Sequence, residues 1–148
     1  MTGWRLGWLV LPQGHADAAG TLLEYNSFCA PVSVQRGGLA ALADAGDFVP
    51  GLVARLHTCR DRLVDGPQRL PGVTVAWPQG GTYAFFCVQR QDDSPAYAKR
   101  LVTKRGLGLA PGAAFGPEGK GWLRWCFATR YPARLDDGLG RLAAALQA

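Results

Sequence analysis

What most constrains this chain is a change of hydrophobic rhythm near its middle. Leu52, Leu56, Cys59 and Leu63 recur at helical spacing, with Arg55, Arg60 and Arg62 off that stripe. Beyond them, Val73 to Trp77 and Thr82 to Val88 are β-prone runs joined by Pro78-Gln79-Gly80-Gly81, which signals a hairpin. Ser94-Pro95 then opens a helix that runs to about Arg105 and stops at Gly106, with cap, early proline and terminal glycine in place. A short strand from Leu107 to Leu109 leads into the loop PGAAFGPEGKG, followed by a strand from Trp122 to Ala128. Asp136 and Asp137 fall in the first turn of a last helix, whose stripe is Leu135, Leu139, Leu142 and Leu146. From residue 73 the order is ββαββα, which predicts a compact α/β lobe with a mostly antiparallel sheet.

The first third reads differently. Trp4 to Leu11 is a largely apolar run stopped by Pro12 and predicts a buried strand. A helix is expected from Ala16 to Tyr25, ending before the polar pair Asn26-Ser27. A second is expected over Val32 to Asp44, with Pro31 in its first turn and Gly37-Gly38 weakening it. Asp47 suits the cap of the long third helix, with Pro50 in its first turn. That helix is a natural connector, so the expected division is residues 1–50 and residues 51–148.

Composition closes off several classes of function. The 20 glycines and 10 prolines of the 148 residues punctuate apolar runs, which argues against disorder. No apolar stretch reaches the roughly 18 residues that span a bilayer, and MTGWRLGWLVLPQG lacks the form of a signal peptide. No membrane association and a cytoplasmic location are expected. The four cysteines form no CxxC pair and only two histidines accompany them, so reduced, buried thiols are expected and a metal site is not. The net charge of +5 raises nucleic acid as a partner. The five tryptophans, however, lie among apolar neighbours and not between arginines, as a stacking platform requires, so no nucleic acid is expected.

Two arginines stand out. In WLRWCFA, alternation places Leu123, Trp125 and Phe127 on one face and Trp122, Arg124 and Cys126 on the other. A guanidinium there is costly unless paired, and a structural ion pair with an internal carboxylate is one solution. Arg5, within MTGWRLGW, reads equally as a strand-surface arginine.

These segments together resemble the C-terminal portion of class I/II pyridoxal-phosphate-dependent aminotransferases, of fold type I. That family closes its lysine segment with a pattern close to S-K-x-x-x-M-T-G-W-R-x-G-W/Y, and this chain opens with MTGWRLGW. The resemblance continues through NSFCAPVSVQRGGLAAL, LPGVTVAWPQGGTYAFFCV, GLGLAPGAAFG and WLRWCFA, in family order and nearly to the end of the chain. It implies an α/β fold comprising the end of a large cofactor-binding domain (1–50) and a connecting helix with a small domain (51–148). It implies pyridoxal 5'-phosphate as cofactor, amino acid and 2-oxo acid as substrates, and a homodimer for the complete enzyme. Arg5 would then hold the cofactor phosphate, for which a planar, permanently charged donor is suited. Arg124 would pair with the substrate α-carboxylate. Tyr83 would line the pocket entrance, a position that a core aromatic would also explain. Phe115 would border the pocket in a loop whose glycines equally mark a tight turn.

The same pattern places the Schiff-base lysine upstream of Met1, and Lys99, Lys104 and Lys120 match no catalytic position, so no catalytic residue is assigned. The expected protein is a fragment of an aminotransferase, inactive alone. The alternative is a truncated remnant acting as a non-catalytic binding or interaction module.

Overall fold

The computed structural model describes residues 1–68 and 70–147. The chain divides into two compact units, Met1–Val49 and Pro50–Ala148. Along it run α1 (Ala16–Ser27), α2 (Val32–Ala43), α3 (Phe48–Gln68), β1 (Val73–Ala76), β2 (Tyr83–Val88), α4 (Ser94–Arg105), β3 (Ala110–Pro111), β4 (Trp122–Cys126) and α5 (Ala133–Leu146). Among the described residues, no helix is long and apolar enough to cross a membrane.

In the first unit the strand expected from Trp4 to Leu11 is absent. Thr2–Trp4 is a turn of 3-10 helix in which the Trp4 amide donates to the Met1 carbonyl at 3.0 Å, and residues 6–12 have no regular structure. The reason is that a strand exists only against a neighbouring edge that takes its amides and carbonyls. Among the described residues this unit contains no strand to provide one. Val10 is accordingly 91% exposed, not buried. The helix α1 also runs on through Asn26-Ser27 and ends at Phe28, whose φ of 61° is left-handed. In α2 the two glycines that weaken the helix by propensity have a packing role. A Cβ on Gly37 would lie 2.8 Å from the Trp4 ring, and Leu6 presses in the same way on Gly38.

The second unit is a four-stranded antiparallel sheet in the order β1-β2-β4-β3 with α4 and α5. The PQGG segment makes the hairpin between β1 and β2, and β4 lies on the other edge of β2 with Phe85 opposite Arg124. Alternation then sorts the side chains. Ala84, Phe86 and Val88 of β2, Leu123 and Trp125 of β4, and Phe127 just beyond it point inward and are buried. They share one core with Cys59, Leu63 and Val64 of α3, Tyr97, Ala98 and Leu101 of α4, and Leu135 and Leu142 of α5. Burying a side chain such as Leu123 or Leu142 is worth roughly 1.5–3 kcal/mol, so this shared face is the main source of stability. The Phe127 amide donates to the Thr82 carbonyl at 2.9 Å, carrying the ladder just past the strand.

Three local readings need correction. Asp93, not Ser94, caps α4: its carboxylate accepts from the Ala96 amide at 3.0 Å, while Ser94 is buried inside the first turn. The strand expected at Leu107–Leu109 forms instead at Ala110–Pro111. The Leu107 amide is spent on the Leu101 carbonyl at 3.2 Å where left-handed Gly106 ends the helix, and Leu107 and Leu109 turn into the core. Of the four thiols, all free, only Cys59 is buried; Cys87 is half-buried, and Cys29 and Cys126 are exposed. Cys126 is exposed because alternation puts it on the outer face beside Arg124.

The loop PGAAFGPEGKG condenses into two 3-10 turns, Gly112–Phe115 and Pro117–Gly119. They close on each other so tightly that a Cβ on Gly112 would collide with the Gly119 carbonyl and come within 2.7 Å of the Trp122 carbonyl. Backbone cannot step aside as a side chain does, so Gly112→Ala is expected to destabilise the chain by about 2–3 kcal/mol. Gly140, inside α5 with nothing within 4 Å, is the opposite case. Gly140→Ala should stabilise by about 0.5–1 kcal/mol through helix propensity. Urea denaturation of the two variants checks both signs.

Candidate functional site

The outer face of the sheet carries what the inner face excludes. On β2 these are Tyr83, Phe85 and Cys87, and on β4 Trp122, Arg124 and Cys126, in the rows Cys87–Trp122, Phe85–Arg124 and Tyr83–Cys126. The row placing Arg124 beside Phe85 continues to Ala110 on β3. Arg124 therefore sits on the inner strand β4, flanked by sheet on both sides, with its side chain partly exposed.

Phe115 reaches this face from the first 3-10 turn. The turn is fixed by the close approach of Gly112 to the backbone of Trp122, and the Ala113 amide donates to the buried Ser94 hydroxyl at 3.4 Å. The Phe115 ring meets Phe85 edge to face, with centroids 6.0 Å apart and planes at 81°, a preferred geometry for two ring quadrupoles.

The Arg124 guanidinium lies over two rings, its carbon 3.8 Å from the centroid of Phe115 and 4.1 Å from that of Tyr83. Sequence reasoning asked for a carboxylate partner, and among the described residues none pairs with Arg124. The ring quadrupoles stabilise the cation in its place, each contributing about 0.5–1 kcal/mol at a partly exposed site. A ring has no lone pair to take an N–H, so the planar fork of donors is left for an acceptor from outside. Two oxygens of a carboxylate match that fork in a bidentate pair.

The structure thus brings Arg124, Tyr83 and Phe115 together. Tyr83 is 44% and Phe115 49% exposed, so neither is a core aromatic. Phe85 was missed by sequence reasoning; its signal was the alternation Tyr83–Phe85, which places both on the face of Arg124. Arg5 belongs to the first unit. It is exposed and follows the 3-10 turn with φ 54°, a left-handed conformation unusual for a residue with a side chain. Such outliers concentrate where a side chain must be aimed.

The family profile described as Aminotransferase class I and II matches residues 1–142. Among individual proteins, an aspartate aminotransferase of Musicola paradisiaca is 32% identical over 86% of this chain and 32% of its own length. An LL-diaminopimelate aminotransferase of Dehalococcoides mccartyi is 30% identical over 97% of this chain and 36% of its own length. Among solved structures, an aminotransferase from Mycobacterium tuberculosis superposes with a TM-score of 0.87 at 30% identity, covering 99% of this chain and 38% of that one. The aspartate aminotransferase of Thermotoga maritima gives 0.85 at 28% identity, covering 100% and 37%. The chain spans only about a third of the length of such relatives.

If the rings support the guanidinium, their contributions are coupled. A double-mutant cycle between Arg124→Met and Phe115→Leu, read by denaturant unfolding, should give a coupling of about 0.5–1 kcal/mol. Additive effects would mean that the contact carries no energy.

Proposed function

Because the chain belongs to the class I and II aminotransferases, we propose that it forms the carboxylate-recognising part of an enzyme that moves an amino group between an amino acid and a 2-oxo acid. Its α/β fold is that of the C-terminal part of fold type I. The observation that carries the reading is Arg124, held over Tyr83 and Phe115 with its donor fork unspent on any carboxylate among the described residues. Amino acid and 2-oxo acid both carry a carboxylate next to the reacting carbon, so one arginine orients both. Tyr83 and Phe115 keep the guanidinium in place and shed water from it, which strengthens the pair.

The cofactor proposed is pyridoxal 5'-phosphate, which when bound supplies the electron sink that makes the α-proton acidic. Arg5 fits its phosphate: an exposed guanidinium on a left-handed turn has the charge and the donors for that group. The stretch 1–50 is read as the end of the cofactor-binding domain and 51–148 as the connecting helix and small domain. The complete enzyme is read as a cytoplasmic homodimer.

No residue of this chain is assigned the proton transfers. Lys99, Lys104 and Lys120 are all exposed, and none lines the face of Arg124. A Schiff-base lysine needs a sheltered position beside the cofactor, where its pKa falls. With pyridoxal phosphate added, the chain by itself is expected to turn over no amino acid, and a standard transaminase assay checks this.

The test of the roles joins the chain behind the N-terminal part of a relative that provides the lysine. Arg124→Ala should lower kcat/KM for the amino acid by a factor of about thirty to several thousand, or about 2–5 kcal/mol, because the substrate carboxylate is left desolvated and unpaired. Turnover of the corresponding decarboxylated amine should hardly change. Arg5→Ala should act the other way, weakening cofactor retention first. If Arg124→Ala handled the amino acid like the unmutated enzyme, the carboxylate assignment would be lost.

A further inference from the structure

Away from Arg124, the second unit contains a cleft of about 820 Å3 between the end of β2, the chain entering β1, and the helices α4 and α5. Its size suits a ligand of several rings or phosphate groups. Neither Arg124, Tyr83 nor Phe115 lines it, and nothing in the proposed aminotransferase role uses it.

Its charge is one-sided. Arg90, Arg100, Lys104 and Arg105 line it and, among the described residues, no carboxylate does. Among the described residues none of the four has an acidic partner. Arg100 is steadied by neutral groups, donating to the Gln91 side chain at 2.7 Å and lying 4.9 Å from the Tyr97 ring centroid. Arg105 donates to the Ala144 carbonyl at 2.9 Å. The guanidinium groups are therefore held without being neutralised. Arg100 and Lys104 are four residues apart on α4, a spacing at which like charges repel. Arg90 is presented by a left-handed backbone with φ 65°.

The floor is apolar and has one polar handle. Val88 and Leu101 are buried beneath it, beside Tyr97, which is only 4% exposed. The Tyr97 hydroxyl makes no hydrogen bond to any described residue, and since no buried polar side-chain atom among them is left unpartnered, it reaches the surface of the cleft. Burial pushes its pKa above that of an ordinary phenol, against a smaller opposite pull from Arg100, so it stays protonated and ready to donate.

We propose that this cleft binds a small organic polyanion of the nucleoside-polyphosphate class, with the phosphates on Arg100, Lys104 and Arg105 and the ring against the half-buried Ala145 and Leu146. The site is independent of the aminotransferase reading and stands or falls separately from it.

The probes are ATP and inorganic tripolyphosphate, titrated calorimetrically into the full chain. ATP should bind one to one with a dissociation constant below about 1 mM, and tripolyphosphate about tenfold more weakly. Arg100→Gln/Lys104→Gln should weaken ATP binding about tenfold or more. The pair Arg55→Gln/Arg134→Gln removes the same charge from exposed positions outside the cleft and should change the affinity less than about twofold. Should the first pair disturb folding by circular dichroism, Lys104→Glu, at an exposed position, must by itself weaken ATP binding about fivefold or more. Absence of saturable ATP binding up to about 1 mM overturns the proposal. So does equal weakening by both pairs, which means diffuse surface charge, and so does tripolyphosphate binding as tightly as ATP, which means charge alone.

Discussion

The pairing of β2 with β4 is the contact on which the second unit depends. The register Phe85–Arg124 decides which side chains of these two strands, together with Phe127 just past β4, enter the core and which face outward. A slip by one residue would send Arg124 into the space of Trp125 and expose Leu123 and Phe127. The buried set Ala84, Phe86, Val88, Leu123, Trp125 and Phe127 makes such a slip costly. The same apolar contacts that hold the sheet against its helices therefore hold Arg124 on the outer face. Stability and site are two sides of one register.

Arg124 also shows how a cation is accommodated within a sheet without an acid among the described residues. A carboxylate in this chain would have satisfied it and at the same time blocked it. Aromatic rings lower its energy while leaving its donors available, because they act on the charge and not on the N–H groups. The result is a guanidinium that is fixed in position yet chemically unsaturated. That requires aromatics from two separate places, Tyr83 on a neighbouring strand and Phe115 on a turn, and the turn in turn requires the close glycine contact at Gly112.

The second unit was legible because its signals are local. Hairpin residues, the proline and glycine that bracket α4, and the leucine stripe of α5 each act within a few positions, and the ββαββα order followed from them. In the first unit the two helices were legible and the strand was not, since Trp4 to Leu11 has the composition of a strand and composition is silent about whether an edge is there to pair with. The displacement of β3 to Ala110–Pro111 has a similar cause: the Leu107 amide was already engaged by the end of α4. Of the site, the face of Arg124 was readable from alternation. Its meeting with Phe115 came only from the family resemblance and Phe85 was not read at all, because both depend on which strands are neighbours and on the path of an irregular loop.

The strand order has a further consequence, in time. β1 and β2 are joined by a short turn and can pair as soon as both have been synthesised, but the other edge of β2 waits for β4, and α4 and two 3-10 turns intervene. At about 5–20 residues per second, the interval between the end of β2 and the end of β4 is on the order of seconds during translation. Through that interval Tyr83–Val88 presents an open row of amides and carbonyls next to unburied Phe86, the kind of edge that other chains recruit. Nascent-chain handling, and not the finished fold, is therefore where this sequence is most vulnerable.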